Sequence, residues 1–337
     1  MLHIHDGDSS AQTSRESTIP GEHFGWREAL ISGPAPSDVG PAQWRQLRAQ
    51  HLSDFYGVDR QKAAEELLRQ EEVLAGFSEH EEVVLWFEHD LFCQANLLYL
   101  LDWFAGRDLC KTRLSLICIG EFPGIEKFRG LGQLNAHQMA SLFTTRHEVS
   151  AAEMNLATRA WRAYRSVDPT AIEKLLDSDT SAMPHLKRAF LLHLARFPFV
   201  RNGLGHIENL GLQLIRGGSK TFTKLFAAFG DEEPVYGLGD FQFWLALKQM
   251  TDARKPLLTV KNGVGLNVGL NVGQRLELSS EAIRNSCFEI TETGVAVLQS
   301  EVDFVTLNGI DYWLGGVHLS EDNLWRWNDE TRKIVQA

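Results

Sequence analysis

The chain has 337 residues, 44% of them hydrophobic and 23% charged, which is room for two average domains or three small ones and excludes a disordered or fibrous protein. Its formal charge of −11 disfavours general nucleic-acid binding, but the balance is uneven: about −10 over residues 1–184, about +5 over 185–261 and about −6 over 262–337. No apolar window approaches the ~18 residues that cross a bilayer, and four cysteines without a C-x-x-C pair give neither a disulfide framework nor a zinc knuckle, so the expected setting is a reducing cytoplasm.

The N-terminus, Met1-Leu2-His3-Ile4-His5-Asp6, lacks the basic and apolar regions of a signal peptide. Leu2-His3-Ile4-His5 alternates and predicts a short strand, followed by Gly7-Asp8-Ser9-Ser10, which suits a turn and a helix N-cap. Glu22 to Ile31 reads as a second extended segment, and Gly40 to about Ala75 as two helices broken near Tyr56-Gly57. Val83-Val84-Leu85-Trp86-Phe87 is a continuous apolar run, as expected of a strand covered on both faces. A helix over Cys93–Phe104 and a strand over Leu114–Ile119 follow, and this strand–helix alternation argues for a parallel α/β sheet.

Residues 135–177 turn helical, with Asn135, Ser150 and Asp168 as candidate N-caps, and the polar stretch Asp177–Ser181 marks a boundary. Four helices (Leu186–Phe197, Ile207–Ile215, Thr221–Phe229, Phe241–Met250) precede strands at Leu257–Val260 and Phe288–Ile290 and a short helix over Thr291–Leu298. That order suggests a winged helix, with the tandem repeat Gly265–Gly273 as an enlarged wing. The expected organisation is a Rossmann-like α/β domain (1–134), a helical connector (135–184) and a winged-helix-like domain with an aromatic cap (185–337).

In an open parallel sheet, ligands bind at the carboxyl ends of the strands. There the sequence delivers Asp6, Asp8 and Ser9, then Trp26, Arg27 and Glu28, then Glu88, His89, Asp90 and Gln94, and finally Gly120-Glu121. Three ionisable residues directly after a buried strand need pairing, hydration or a ligand. A histidine beside carboxylates suits a general base, carboxylates with histidine suit a divalent metal, and small residues at a helix start opposite Arg27 suit a phosphate. No G-x-x-x-x-G-K-[ST] or G-x-G-x-x-G fingerprint is present. His3 and His5 share a strand face, a spacing used by metal sites, without a second histidine-rich strand end to complete one. The cysteines (Cys93, Cys110, Cys118, Cys287) read as small buried residues. Further on, Arg201 with Arg216, Lys220 and Lys224 gives the third segment a basic face, and His318 and Arg326, among Trp313, Trp325 and Trp327, are candidates to close over the first domain's site.

Several segments resemble the DUF1835 domain proteins, an uncharacterised bacterial family. They are His3 with Gly7-Asp8-Ser9, Trp26–Leu30 followed by Gly33-Pro34, Leu85–Gln94, Trp161–Ser166, Arg201–Leu204, Trp313–Leu319 and Trp325–Trp327. That family usually has an uncharged residue where this chain has His5, and often asparagine in place of Asp6, so the resemblance removes both from the candidate site. It implies an architecture and no activity.

The expected function is therefore a hydrolase or transferase acting on a phosphate- or nucleotide-bearing small molecule at the carboxyl edge of the sheet. His89, Asp8, Glu88 and Asp90 are the catalytic candidates, and Ser9, Trp26, Arg27, Glu28, Gln94, Arg201 and His318 the substrate-binding ones. A divalent metal is a candidate cofactor. The alternative is a ligand-sensing transcription regulator that binds DNA through residues 185–261, and self-association through the aromatic C-terminus is a third reading.

Overall fold

The structure is a computed structural model and describes residues 1–261 and 283–337. Four parallel strands, β1 (Leu2–Asp6), β2 (Glu22–Trp26), β3 (Glu82–Glu88) and β4 (Arg113–Ile119), are joined by β5 (His147–Glu148), antiparallel to β4. Their order is β2-β1-β3-β4-β5, so the chain reverses direction across the sheet between β1 and β3. At such a switch point the loops leave in opposite directions and open a crevice.

Side chains alternate along a strand, which explains the unbroken apolar run of β3. Val83, Leu85 and Phe87 enter the larger core, while Val84 and Trp86 enter a smaller one on the opposite face. Helices α1 (Asp8–Arg15) and α5 (Ala136–Phe143) lie on the smaller side. The larger core takes residues from α2 (Pro41–Tyr56), α3 (Arg60–Ala75), α4 (Leu91–Ala105) and α6 (Ala151–Tyr164). α2 ends at Gly57, whose φ of 66° supplies the left-handed C-cap and whose N–H donates to the Ser53 carbonyl.

After α7 (Thr170–Leu176), the helices α8 (Leu186–Leu194), α9 (His206–Arg216), α10 (Phe222–Glu232) and α11 (Asp240–Asp252) gather round Leu212, Leu225, Phe229, Phe243 and Leu247. β6 (Leu258–Lys261) and β7 (Cys287–Ile290) add an antiparallel pair, and Gly265–Gly273, the expected wing, lies outside the described residues. α12 (Glu292–Leu298) and α13 (Phe304–Asn308) follow. The aromatic end forms two hairpins, β8 (Tyr312–Leu314) with β9 (Val317–Leu319) and β10 (Trp325–Asn328) with β11 (Lys333–Gln336).

These hairpins return to the first core: Leu314, Val317, Leu319, Trp327 and Ile334 cluster with the sheet. Gly315 and Gly316 make the approach possible. The Gly316 N–H donates to the Tyr164 carbonyl at 2.9 Å and the Gly315 carbonyl accepts from Ala35 N–H at 2.8 Å, and a Cβ at either glycine would collide with the Tyr164 or Arg165 carbonyl. The aromatic segment therefore packs on the end of α6. Among the described residues no helix is long and apolar enough to cross a membrane.

Candidate functional site

The carboxyl ends of β1 and β3 bring three acids together. Asp6 closes β1, Glu88 closes β3, and Asp90 caps α4, its Oδ1 accepting the Cys93 N–H at 2.9 Å. The Cys93 thiol, one turn into α4, donates to Glu88 Oε2 at 3.5 Å. One candidate ligand atom each from Glu88, Asp90 and Cys93 lies within 4.8 Å of the others. Asn96, on the same face of α4 three residues later, donates from Nδ2 to Asp6 Oδ1 at 2.8 Å and to the Glu28 carbonyl at 2.9 Å.

Two loops roof this cluster. Glu88 Oε1 accepts the Leu131 N–H at 2.5 Å, and a Cβ on Gly130 (φ 150°) would come 2.5 Å from Glu88 Oε2. From the second half of the chain, Gly237 (φ 65°) presses its backbone on Asp90, and a Cβ there would overlap the Asp90 carboxyl. Both positions need glycine's backbone freedom and its missing side chain. Beneath this roof, burial raises the Asp6 carboxyl to about 7. Burial, reinforced by Asp90, pushes Glu88 up as well, and burial raises Asp90. None of the described ion pairs reaches any of the three, whereas the buried Glu28, Glu82 and Glu233 each pair with arginine and Glu153 pairs with His147.

His89, between Glu88 and Asp90, turns to a cavity of about 620 Å³ at the ends of β3 and β4. Its walls include Gly120, Phe122, Phe128, Lys127 and Arg129, with Asp231 reaching in from α10. Burial and the nearby His185, 6.0 Å between ring centroids, lower the His89 pKa, so its ring is neutral at pH 7. His89 Nδ1 is buried with no hydrogen-bond partner. Lys127 and Arg129 both pair with Asp231, Lys127 at 3.1 Å.

The other candidates go elsewhere. Arg27 is not free for an anion, because its Nε and Nη2 grip Asp8 at 2.8 Å each and its Nη1 meets Glu66 at 2.9 Å. Asp8 is thereby taken from the catalytic set, and the N-cap of α1 is Gly7, at φ 92°, and neither Asp8 nor Ser9. Ser9 is exposed beneath Gly132. Glu28 is a buried partner of Arg48, at 2.7 and 3.2 Å. Trp26 is buried and stacked on Tyr99. Gln94 is buried, donating to the Glu88 carbonyl at 2.8 Å, so it braces the strand end. Arg201 pairs with Asp329 and lines a separate cavity without His89. His318 bonds Asp311 at 2.7 Å and stacks on Trp313, while Arg326 is held by Asp303. Neither lines the His89 cavity.

His3 and His5 do share a face, as read from their spacing, but it is a packed one. His3 stacks on His23 at 4.4 Å between centroids and accepts the Trp86 indole N–H, and His5 stacks on Trp86. Burial lowers His3 to about 4 and depresses His5 and His23. The structure thus gathers Glu88, His89 and Asp90 at one strand end, as expected, together with Asp6, which the family resemblance had removed, and with Cys93, Asn96, His185, Lys127 and Arg129, which sequence reasoning did not place there. Asp6 carried a signal, being the last residue of an alternating strand. Lys127 and Arg129 carried only the weaker signal of a glycine-punctuated loop after β4.

Comparison with protein-family models and with curated proteins gives no match for this chain.

Proposed function

We propose that this protein is a hydrolase or transferase acting on a small molecule that bears a phosphate or nucleotide, bound in the cavity beside His89. The observation that carries this reading is an imidazole held in its neutral form by burial and lining a cavity that also holds Lys127 and Arg129. The two cations suit a phosphate, which would compete with Asp231 for them. Phe122 and Phe128 offer an aromatic wall for a base or another flat group. His89 takes the proton of an attacking water, or of an acceptor hydroxyl in the transferase case.

The DUF1835 resemblance belongs to the same proposal, since the matching segment Leu85–Gln94 is the one that builds the acid cluster. The α9–α11 helices with the β6–β7 pair favour a winged-helix-like reading of that unit, with packing as its role here: Arg201 is already paired, and Asp231 of α10 faces the cavity.

The test is a turnover screen over nucleotides and phosphate esters, followed by His89→Ala. Turnover should fall by at least about 100-fold with the unfolding midpoint unchanged. Full activity in that variant overturns the assignment.

A further inference from the structure

We propose that Asp6, Glu88, Asp90 and Cys93 form a binding site for a divalent transition-metal cation of the zinc class, at the switch point between β1 and β3. This deepens the functional reading above, because two of the ligands, Glu88 and Asp90, flank His89 in the chain, but its test needs no turnover.

Three features carry the inference. First, the donors are compact. Carboxylate oxygens of Glu88 and Asp90 and the sulfur of Cys93 lie within 4.8 Å of one another, and Cys93 Sγ stands 3.5 Å from Glu88 Oε2, the separation that two ~2.0–2.3 Å bonds to one tetrahedral ion produce. Asp6 is tied to the same helix face through Asn96 at 2.8 Å. Secondly, the acids have no counter-charge among the described ion pairs, although they lie under two glycine-lined loops. A dication supplies what no lysine or arginine does.

Thirdly, Asn96 is 0% exposed and its Oδ1 has no partner. Both Nδ2 hydrogens are used, on Asp6 and on the Glu28 carbonyl, so the amide orientation is fixed by its two acceptors. That open acceptor lacks a donor among the described residues. A metal-bound water has two. The donor set of carboxylate oxygens with one thiolate favours zinc and its neighbours over magnesium or calcium, which take oxygen alone. On binding, any protons on the carboxyls and the thiol leave to solvent.

The experiment titrates chelator-treated full-length protein with Zn2+ by calorimetry and with Co2+ by absorption. We expect one ion per chain and a thiolate-to-cobalt charge-transfer band in the near ultraviolet. Glu88→Gln and Asp90→Asn should each weaken binding by about 100-fold or more, and Asn96→Ala by about tenfold. Cys93→Ser should abolish the band. Asp8→Asn, on the exposed surface, should bind as the parent does. Thermal melts of each metal-free variant identify any that fail to fold, and Cys93→Ser, a near-isosteric change, keeps the test open if the acid variants do. Absence of 1:1 binding, binding without the band, or variants that titrate like the parent overturns the site. Turnover by metal-free protein would overturn it while sparing the functional reading; a loaded protein inert to every phosphate ester would do the reverse.

Discussion

Two groups of buried carboxylates meet at Asn96, and they are built in opposite ways. On one side Glu28 is 3% exposed and Arg48 0%. The guanidinium grips both carboxylate oxygens and also donates to the Ala29, Ser32 and Pro34 carbonyls. On the other side Asp6, Glu88 and Asp90 share a thiol, two backbone N–H groups and a carboxamide, and no base. The first arrangement is complete, with nothing left for a ligand to supply. The second lacks a positive charge. A buried carboxylate becomes a functional candidate through the absence of its partner more than through its burial.

The largest effect that sharpens this contrast is on stability. Arg48→Ala leaves Glu28 buried without its counter-charge and takes the arginine's donors from the Ala29, Ser32 and Pro34 carbonyls, and should cost about 3–5 kcal/mol, read from urea unfolding. Glu88→Gln in metal-free protein removes a charge that has no partner, and should leave stability unchanged or raised. If Arg48→Ala costs less than about 1 kcal/mol, or Glu88→Gln costs as much as Arg48→Ala, the two groups are not different in kind.

A second prediction uses pH. Asp6 lies at about 7 in the folded chain, against roughly 3.9 when unfolded, and Glu88 and Asp90 are displaced in the same direction. The folded state therefore holds more protons through this window, and stability falls as pH rises through it. On the smaller face of the sheet the sign reverses. His3 at about 4, with His5 and His23 depressed, holds fewer protons folded than unfolded, so these histidines lower stability as pH falls from about 6.5 to 4. The two clusters oppose each other below pH 6.5, and above it the acids act alone. Metal-free protein should lose stability between pH 6.5 and 8, by at most about 1.4 kcal/mol per pH unit for each extra proton the folded state holds. Asp6→Asn should flatten that limb. An equal slope in the variant would remove Asp6 from the cluster.

What the sequence made legible follows from the same physics. The β3 and β4 strands and the edge at which Glu88, His89 and Asp90 emerge were readable, because a doubly covered strand must be apolar and its end must not be. Whether a polar residue at that end is paired was not readable. Glu28 and Glu88 look alike in one dimension, yet Arg48 reaches the first from a helix 20 residues away, and no basic side chain among the described residues pairs with the second. Asp6 was set aside on a family resemblance although its place at the end of β1 is the one the switch-point rule singles out. Gly130 and Gly237, which roof the acids, drew no reading from the sequence, since a glycine shows what it permits locally and not what it lies against. Gly315-Gly316 permits a close approach on sequence alone, but its target, the end of α6, was hidden for the same reason.

The smallest expected effect tests the other end of the comparison, a pair that is complete and exposed. Arg27 and Asp8 meet in a bidentate geometry, but their side chains keep 45% and 57% of their exposure, and Glu66 and Arg69 continue the network along the surface. Solvent screens such charges, so Asp8→Asn should change stability by less than about 1 kcal/mol. It should also leave the KM for the substrate found in the screen unchanged, because neither residue lines the His89 cavity. A tenfold rise in KM in that variant would return Arg27 and Asp8 to the substrate site. It would also mean that the loop after β2 swings toward β3 when ligand binds, and the division between paired, structural charge and unpaired, functional charge would then hold only for the ligand-free protein.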